Sequence, residues 1–286
     1  MATIQWFPGH MSKARRQVQE NLKYVDIIIE LVDARLPYSS ANPMLGKIIG
    51  DKPRLLVMNK KDLADEHVSQ EWQSYLRGQG INSLLTDAKD QATVKKVTQE
   101  AKRVLADKIE RDKARGIAEK PIRAMVIGIP NVGKSTLLNR LAGKKIAQVG
   151  NKPGVTKGQQ WIRSNKDLEI LDTPGILWPK FEDQLVGLKL ALTGAIKDDL
   201  TPRDEISIFA IDYFKEHYPT TLKERFKLTD ADMKLSAVDL IIYLTQKLGF
   251  KDDYDRFYDL LIKDVRNGKL GRYSLDRISD LHEADS

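Results

Sequence analysis

Hydrophobic positions along the chain follow two rhythms, and the change between them falls near residue 180. Before it, short unbroken apolar runs alternate with longer stretches of helical period. The runs lie at 26–35 (DIIIELVDAR), 53–58 (PRLLVM), 82–85 (NSLL), 122–127 (IRAMVI) and 168–171 (LEIL). Branched apolar runs without polar alternation predict strands covered on both faces, as in a parallel sheet. Between them the spacing predicts a basic helix from Ser12 to about Leu22, a short helix after the loop 37–43, and helices over 67–78, from 94 to about 116, and over 135–142, the last closed by Gly143. Strands alternating with helices predict an α/β fold, a mostly parallel sheet flanked by helices. After Trp178-Pro179-Lys180-Phe181 the pattern is helical only: 182–197, 204–217, 234–248 closed by Gly249, and 253–267 closed by Gly268. We therefore read residues 1–180 as one α/β domain and 181–286 as a small all-helical C-terminal domain.

Composition narrows the setting. The chain has no cysteine, which excludes disulfide partners and thiolate metal sites and suits a cytoplasmic location. No apolar run approaches 18 residues and the N-terminus is polar after Ile4, so neither a membrane partner nor a secretory signal is expected. The net charge of +7 is unevenly spread: residues 1–180 carry 31 Lys/Arg against 19 Asp/Glu, and residues 181–286 carry 16 against 21. Eight cations and no acid lie between Lys134 and Lys166, and ten cations lie between Lys95 and Arg123. Such a surplus fits either a polyanionic partner such as RNA or a solvated basic face. The segment 268–273 (GKLGRY) could likewise touch RNA or merely end a helix.

The chemistry is carried by five short motifs. Gly128 to Thr136 reads GIPNVGKST, the phosphate-binding loop pattern, between a predicted strand and a predicted helix. Backbone N–H groups of Asn131, Val132 and Gly133 can wrap a di- or triphosphate, Lys134 places a cation on its outer end, and Ser135 and Thr136 open the helix, Ser135 offering a hydroxyl to Mg2+. Asn59-Lys60-Lys61-Asp62 ends a strand and fits the guanine-reading motif N-K-x-D. The Asp62 carboxylate can accept from both N1–H and the exocyclic amine of guanine, Asn59 holds the loop, and the Lys60 stem can lie over the base. Asp87 and Ala88, in Thr86-Asp87-Ala88-Lys89, fit a base-supporting loop, with Asp87 where serine is usual. Thr156 stands where a switch threonine would meet Mg2+ and the γ-phosphate, and Asp172-Thr173-Pro174-Gly175 supplies a second Mg2+-side carboxylate, Asp172, and a γ-phosphate-sensing glycine, Gly175. An ATPase of the same loop class would leave Asn59 and Asp62 as coincidences.

The order of these motifs is unusual. The guanine motif and its supporting loop precede the phosphate loop, Thr156 and the D-T-P-G segment, so the expected fold is a circularly permuted P-loop GTPase domain. Its second switch runs directly into the helical domain. With QWFPGHM at 5–11 and DTPGILWP at 172–179, nearly the whole chain resembles the bacterial ribosome biogenesis GTPase A family. That resemblance implies a ribosome-stimulated GTPase, using GTP/GDP and Mg2+, that acts late in assembly of the large (50S) ribosomal subunit. Its implied partners are the large-subunit precursor and its rRNA, contacted in part by the helical domain, with a monomer expected off the ribosome. A permuted branch acting on the small subunit carries a cysteine zinc site, which this chain cannot build.

Catalysis needs a further group. The position after D-T-P-G, where ordinary small GTPases carry a water-orienting glutamine, is Ile176. Asn131 is similar to the residue that holds K+ against the phosphates in related GTPases. The resemblance also implies that His10 takes part in ribosome-stimulated hydrolysis, while local sequence alone favours a hydrophobic plug that tethers the N-terminus, with a structural histidine. The rival from another class is a nucleotide-gated rRNA-binding scaffold in which hydrolysis is incidental.

Overall fold

The computed structural model describes residues 16–43, 45–143, 160–164, 166–172, 183–196, 198 and 201–283. These fall into two compact units, one holding the described residues up to 172 together with 276–283, the other holding 183–275.

The first unit is built on a six-stranded sheet. β1 (Ile27–Asp33) lies between β2 (Arg54–Asn59) and β4 (Ile122–Gly128), with β3 (Ser83–Leu85) outside β2, and β6 (Leu168–Asp172) then β5 (Gln160–Arg163) outside β4. All pairings are parallel except that of β5 with β6. The continuous apolar runs have their cause here: β1 is buried at every position, so no alternation could appear in its sequence. Its one charged interior residue, Glu30, is tied to Arg54 and accepts from the Asn42 N–H at 3.2 Å. Burial raises its pKa, and Arg54 works against that rise. β5 was not anticipated from sequence. Four residues on an antiparallel edge carry too short a pattern to be read.

The helices are α1 (Leu45–Ile49), α2 (Glu66–Gly78), α3 (Gln91–Val104), α4 (Ala106–Ala114) and α5 (Lys134–Ala142), with residues 16–21 also helical. Asp65 caps α2 by accepting from the His67 and Val68 N–H groups, and Asp90 caps α3 through Ala92. The single helix expected from 94 to 116 is two helices. Leu105 turns inward between them at φ −98°, ψ 10° and is buried, whereas α4 buries nothing and follows the charged surface.

The second unit contains α6 (Gln184–Leu192), α7 (Arg203–His217), α8 (Pro219–Phe226), α9 (Ala237–Lys247) and α10 (Tyr254–Arg266). α8 is additional to the expected set, started by Pro219 at its first position. Phe214, Leu240, Leu244, Phe257 and Leu261 form the interior, and Asp264 is held inside it by Arg225. The 268–273 segment is not a free basic tail: Leu270 and Tyr273 are buried, the Tyr273 ring centroid lying 5.3 Å from that of Phe214.

The expected helical domain to residue 286 stops in the structure at 275. Asp276 returns to the first unit, where its carboxylate accepts from Tyr38 N–H at 2.9 Å, Ser39 N–H at 2.7 Å and Ser39 Oγ at 2.6 Å. Its carbonyl accepts from Trp72 Nε1 at 3.1 Å, and Ile278 and Leu281 of α11 (Ile278–Glu283) pack against the cluster around Trp72. Leaving the buried Ser39 N–H without an acceptor costs about 1–3 kcal/mol, and the part-buried Tyr38 N–H adds a smaller loss. Asp276→Ala should therefore lower the unfolding free energy by about 3 kcal/mol in urea titration, and Asp276→Asn, which keeps one acceptor, by less.

Candidate active site

Parallel pairing puts the C-terminal ends of five strands on one rim. Asp33 stands beside Asn59, Met58 beside Leu85, Leu31 beside Gly128 and Val126 beside Asp172. Motifs far apart in sequence thereby converge, and their permuted order leaves the rim intact.

The phosphate loop leaves β4 at Gly128 and enters α5 at Lys134. A Cβ on Gly128 would lie 2.7 Å from the Leu31 carbonyl oxygen, so the strand ends there only with glycine. Gly133 is left-handed at φ 99°, and a Cβ on it would collide with the Asn59 amide nitrogen. Asn131 is also left-handed, at φ 58°. A loop shaped this way turns successive N–H groups toward one point and suits an anion. Lys134 is buried, and Ser135 and Thr136 are half-buried at the start of the helix.

Asn59 joins the loops. Its Nδ2 donates to the Val132 carbonyl at 2.8 Å, and its Oδ1 accepts from the Ala88 N–H at 2.9 Å. Its own carbonyl accepts from Ala34 N–H at 2.7 Å. The Ala88 N–H, expected to support a base, is thus engaged by Asn59 in this structure. Asp87, in the place of a serine, turns its carboxylate onto the Lys89 N–H at 2.8 Å and shapes the loop. Asp62 supplies the strongest sign of a missing ligand. One oxygen, Oδ2, lies 3.3 Å from Lys89 Nζ, while Oδ1 is buried with no hydrogen-bond partner among the described residues. A buried carboxylate oxygen without a donor is costly unless something with N–H groups fills the place.

Lys60, left-handed at φ 62°, is held by a group that the motifs did not reveal. Its Nζ lies 3.0 Å from Asp33 Oδ2, and Arg35 grips the same carboxylate with two hydrogen bonds of 2.9 and 2.7 Å. The sequence motifs gave no sign of this trio. Burial pushes the Asp33 pKa up, yet Arg35 and Lys60 together outweigh it and hold the carboxyl well below its ordinary 3.8. Burial lowers the Lys60 pKa, with Asp33 opposing. Asp172 ends β6 on the same rim. His10, Thr156, Gly175 and Ile176 lie outside the described residues.

With this geometry in place, the comparisons are specific. Residues 123–267 match the family described as 50S ribosome-binding GTPase. The chain is 47% identical to ribosome biogenesis GTPase A of Priestia megaterium, over 98% of this chain and 99% of that one. It is 31% identical to the Thermotoga maritima protein of the same name (97% and 96%), and 32% identical to the mouse mitochondrial ribosome-associated GTPase 1 (95% and 90%). Among solved structures, the fold is similar to GDP-bound YlqF at TM-score 0.64 and to GNP-bound YlqF from T. maritima at 0.62, each 24% identical and each covering 93% of this chain, with 100% and 98% of those chains covered. The permuted order of loops on a mostly parallel sheet, expected from the motifs, is the architecture observed.

The trio at Asp33 makes an acid-sensitive contribution. Its folded pKa is below its unfolded one, so the unfolded chain binds the extra proton between the two values, and this stability, present above about pH 4, is lost as the pH falls through the folded value. Asp33→Asn should cost about 3 kcal/mol at neutral pH. It should also flatten the loss of stability between pH 5 and pH 2 and weaken GDP binding by releasing Lys60, all readable by chemical denaturation against pH and by GDP titration.

Proposed function

The chain belongs to the ribosome biogenesis GTPase A family and is a GTP hydrolase, and on that footing we propose that it serves late assembly of the large (50S) ribosomal subunit, with turnover stimulated by the ribosome. The observation that carries the guanine part is the buried, partnerless Oδ1 of Asp62 on the loop that Asn59 ties to the phosphate loop. Asp62 accepts from N1–H and the exocyclic amine of guanine, and the Lys60 stem, anchored at Asp33, lies against the ring. The amides of Asn131, Val132 and Gly133, the start of α5 and Lys134 bind the phosphates, and Thr136 extends that contact. Ser135, Thr156 and Asp172 would hold Mg2+, which would supply positive charge beside the phosphates.

In this reading the reaction is GTP + H2O → GDP + phosphate. Ile176 has no group to orient water. Asn131 would hold K+ beside the phosphates, and His10 would complete the water-activating set on the ribosome. Gly175 reports the γ-phosphate through its N–H to the segment leading into the helical unit. The excess of cations before residue 180 supports rRNA of a large-subunit precursor as the partner, met by the first unit and by the helical unit, with the protein cytoplasmic and monomeric off the ribosome. No helix among the described residues is long and apolar enough to cross a membrane. The second reading, a nucleotide-gated rRNA-binding scaffold, is favoured by Ile176 alone.

Two measurements decide between them. GTP turnover should rise on adding purified large-subunit precursors and be higher in K+ than in Na+; turnover unchanged by particles leaves the scaffold. Asp62→Asn should shift preference from guanine to xanthine nucleotides, and retained guanine selectivity would overturn the base assignment.

A further inference from the structure

The rim opposite the nucleotide loops, where β1, β4 and β6 begin, is crossed by ion pairs. Three acids sit there, each paired with a cation that reaches past it. Side-chain exposure is 28% for Asp26 against 44% for its partner Lys108, 27% for Asp167 against 41% for Lys102, and 27% for Glu169 against 54% for Arg123. In each pair the cationic side chain is the more exposed of the two. Arg163, beside Glu169 in the register of β5 with β6, and Lys166 add two exposed cations.

Two large aromatic side chains are exposed at this rim and on the edge strand that borders it. Trp161, on edge strand β5, is 42% exposed with the Arg123 guanidinium 5.1 Å from its ring centroid. Tyr24, just ahead of β1, is 51% exposed with Lys23 Nζ 4.9 Å from its centroid. Arg123 links the two places: its N–H donates to the Asp26 carboxylate at 2.9 Å, and its carbonyl accepts from the Asp26 N–H at 2.7 Å, two residues from Tyr24.

We propose that this floor of the sheet is a docking surface for single-stranded RNA, with the projecting cations following the phosphates and the Trp161 and Tyr24 rings stacking unpaired bases. Interleaved cations and ring faces suit an anionic strand whose bases have open π-surfaces. The inference rests on the reading of rRNA as the partner and names where on the first unit it binds. None of these residues belongs to the nucleotide site.

The test uses the full chain, a fluorescein-labelled oligouridine strand and purified large-subunit precursors. Trp161→Ala should weaken oligouridine binding about ten-fold and Trp161→Phe should restore most of it. Arg163→Ala should lower the slope of log affinity against log salt by about 0.7. GDP affinity should stay at the wild-type value in all three variants, which reports that they fold. Wild-type failure to bind oligouridine, or unchanged binding and slope in the variants, would overturn the floor. So would variants that bind oligouridine normally yet lose the particles, since a ribosomal protein would then be what docks here. Wild-type chain that binds oligouridine but not precursor particles would instead count against the ribosomal role alone.

Discussion

Asn59 is the side chain on which the nucleotide rim depends. It sits at the end of β2, buried, with its amide spanning from the phosphate loop at Val132 to the base-side loop at Ala88 and its carbonyl fixing Ala34. A primary amide donates from one atom and accepts at another, so it can span from a carbonyl on one side to an N–H on the other. Aspartate would lose the donor and leave Val132 unsatisfied. Gly133 has no room for a Cβ because the Asn59 amide already occupies that space, so the glycine of the phosphate loop and the asparagine of the base motif are sterically one feature.

Around that bridge lies a buried charge arrangement that serves position more than stability. Arg35, Asp33 and Lys60 sum to one positive charge in a place with little water, and isolated burial of any of them would be costly. The two-pronged Arg35 contact fixes the carboxylate, and the carboxylate fixes where the Lys60 stem runs. The gain is a lysine whose direction is fixed within the folded chain, so a ligand meeting it would lose less conformational entropy.

Much of this was legible in the chain. The β1, β2, β4 and β6 runs are unbroken because their strands are covered on both sides, and the motif order alone implied permutation. What stayed hidden depends on contacts across long separations. Nothing local marks Asp276 as the acceptor for residues 38 and 39, because an aspartate before a short helix reads as an ordinary cap. Tyr273 looked like part of a basic tail because its neighbours are polar, while its ring faces inward onto Phe214. Leu105 broke a helix whose charge pattern is continuous, since burial of one leucine outweighs an uninterrupted helical propensity.

The return of the chain at Asp276 changes what kind of object the helical unit is. The chain leaves the first unit after β6 and comes back to it at Asp276, so in chain order the helical unit is an insertion between β6 and α11 rather than a C-terminal appendage. Cutting the chain before the helices would therefore remove a piece of the nucleotide-binding unit as well, and a truncated protein would report two losses as one.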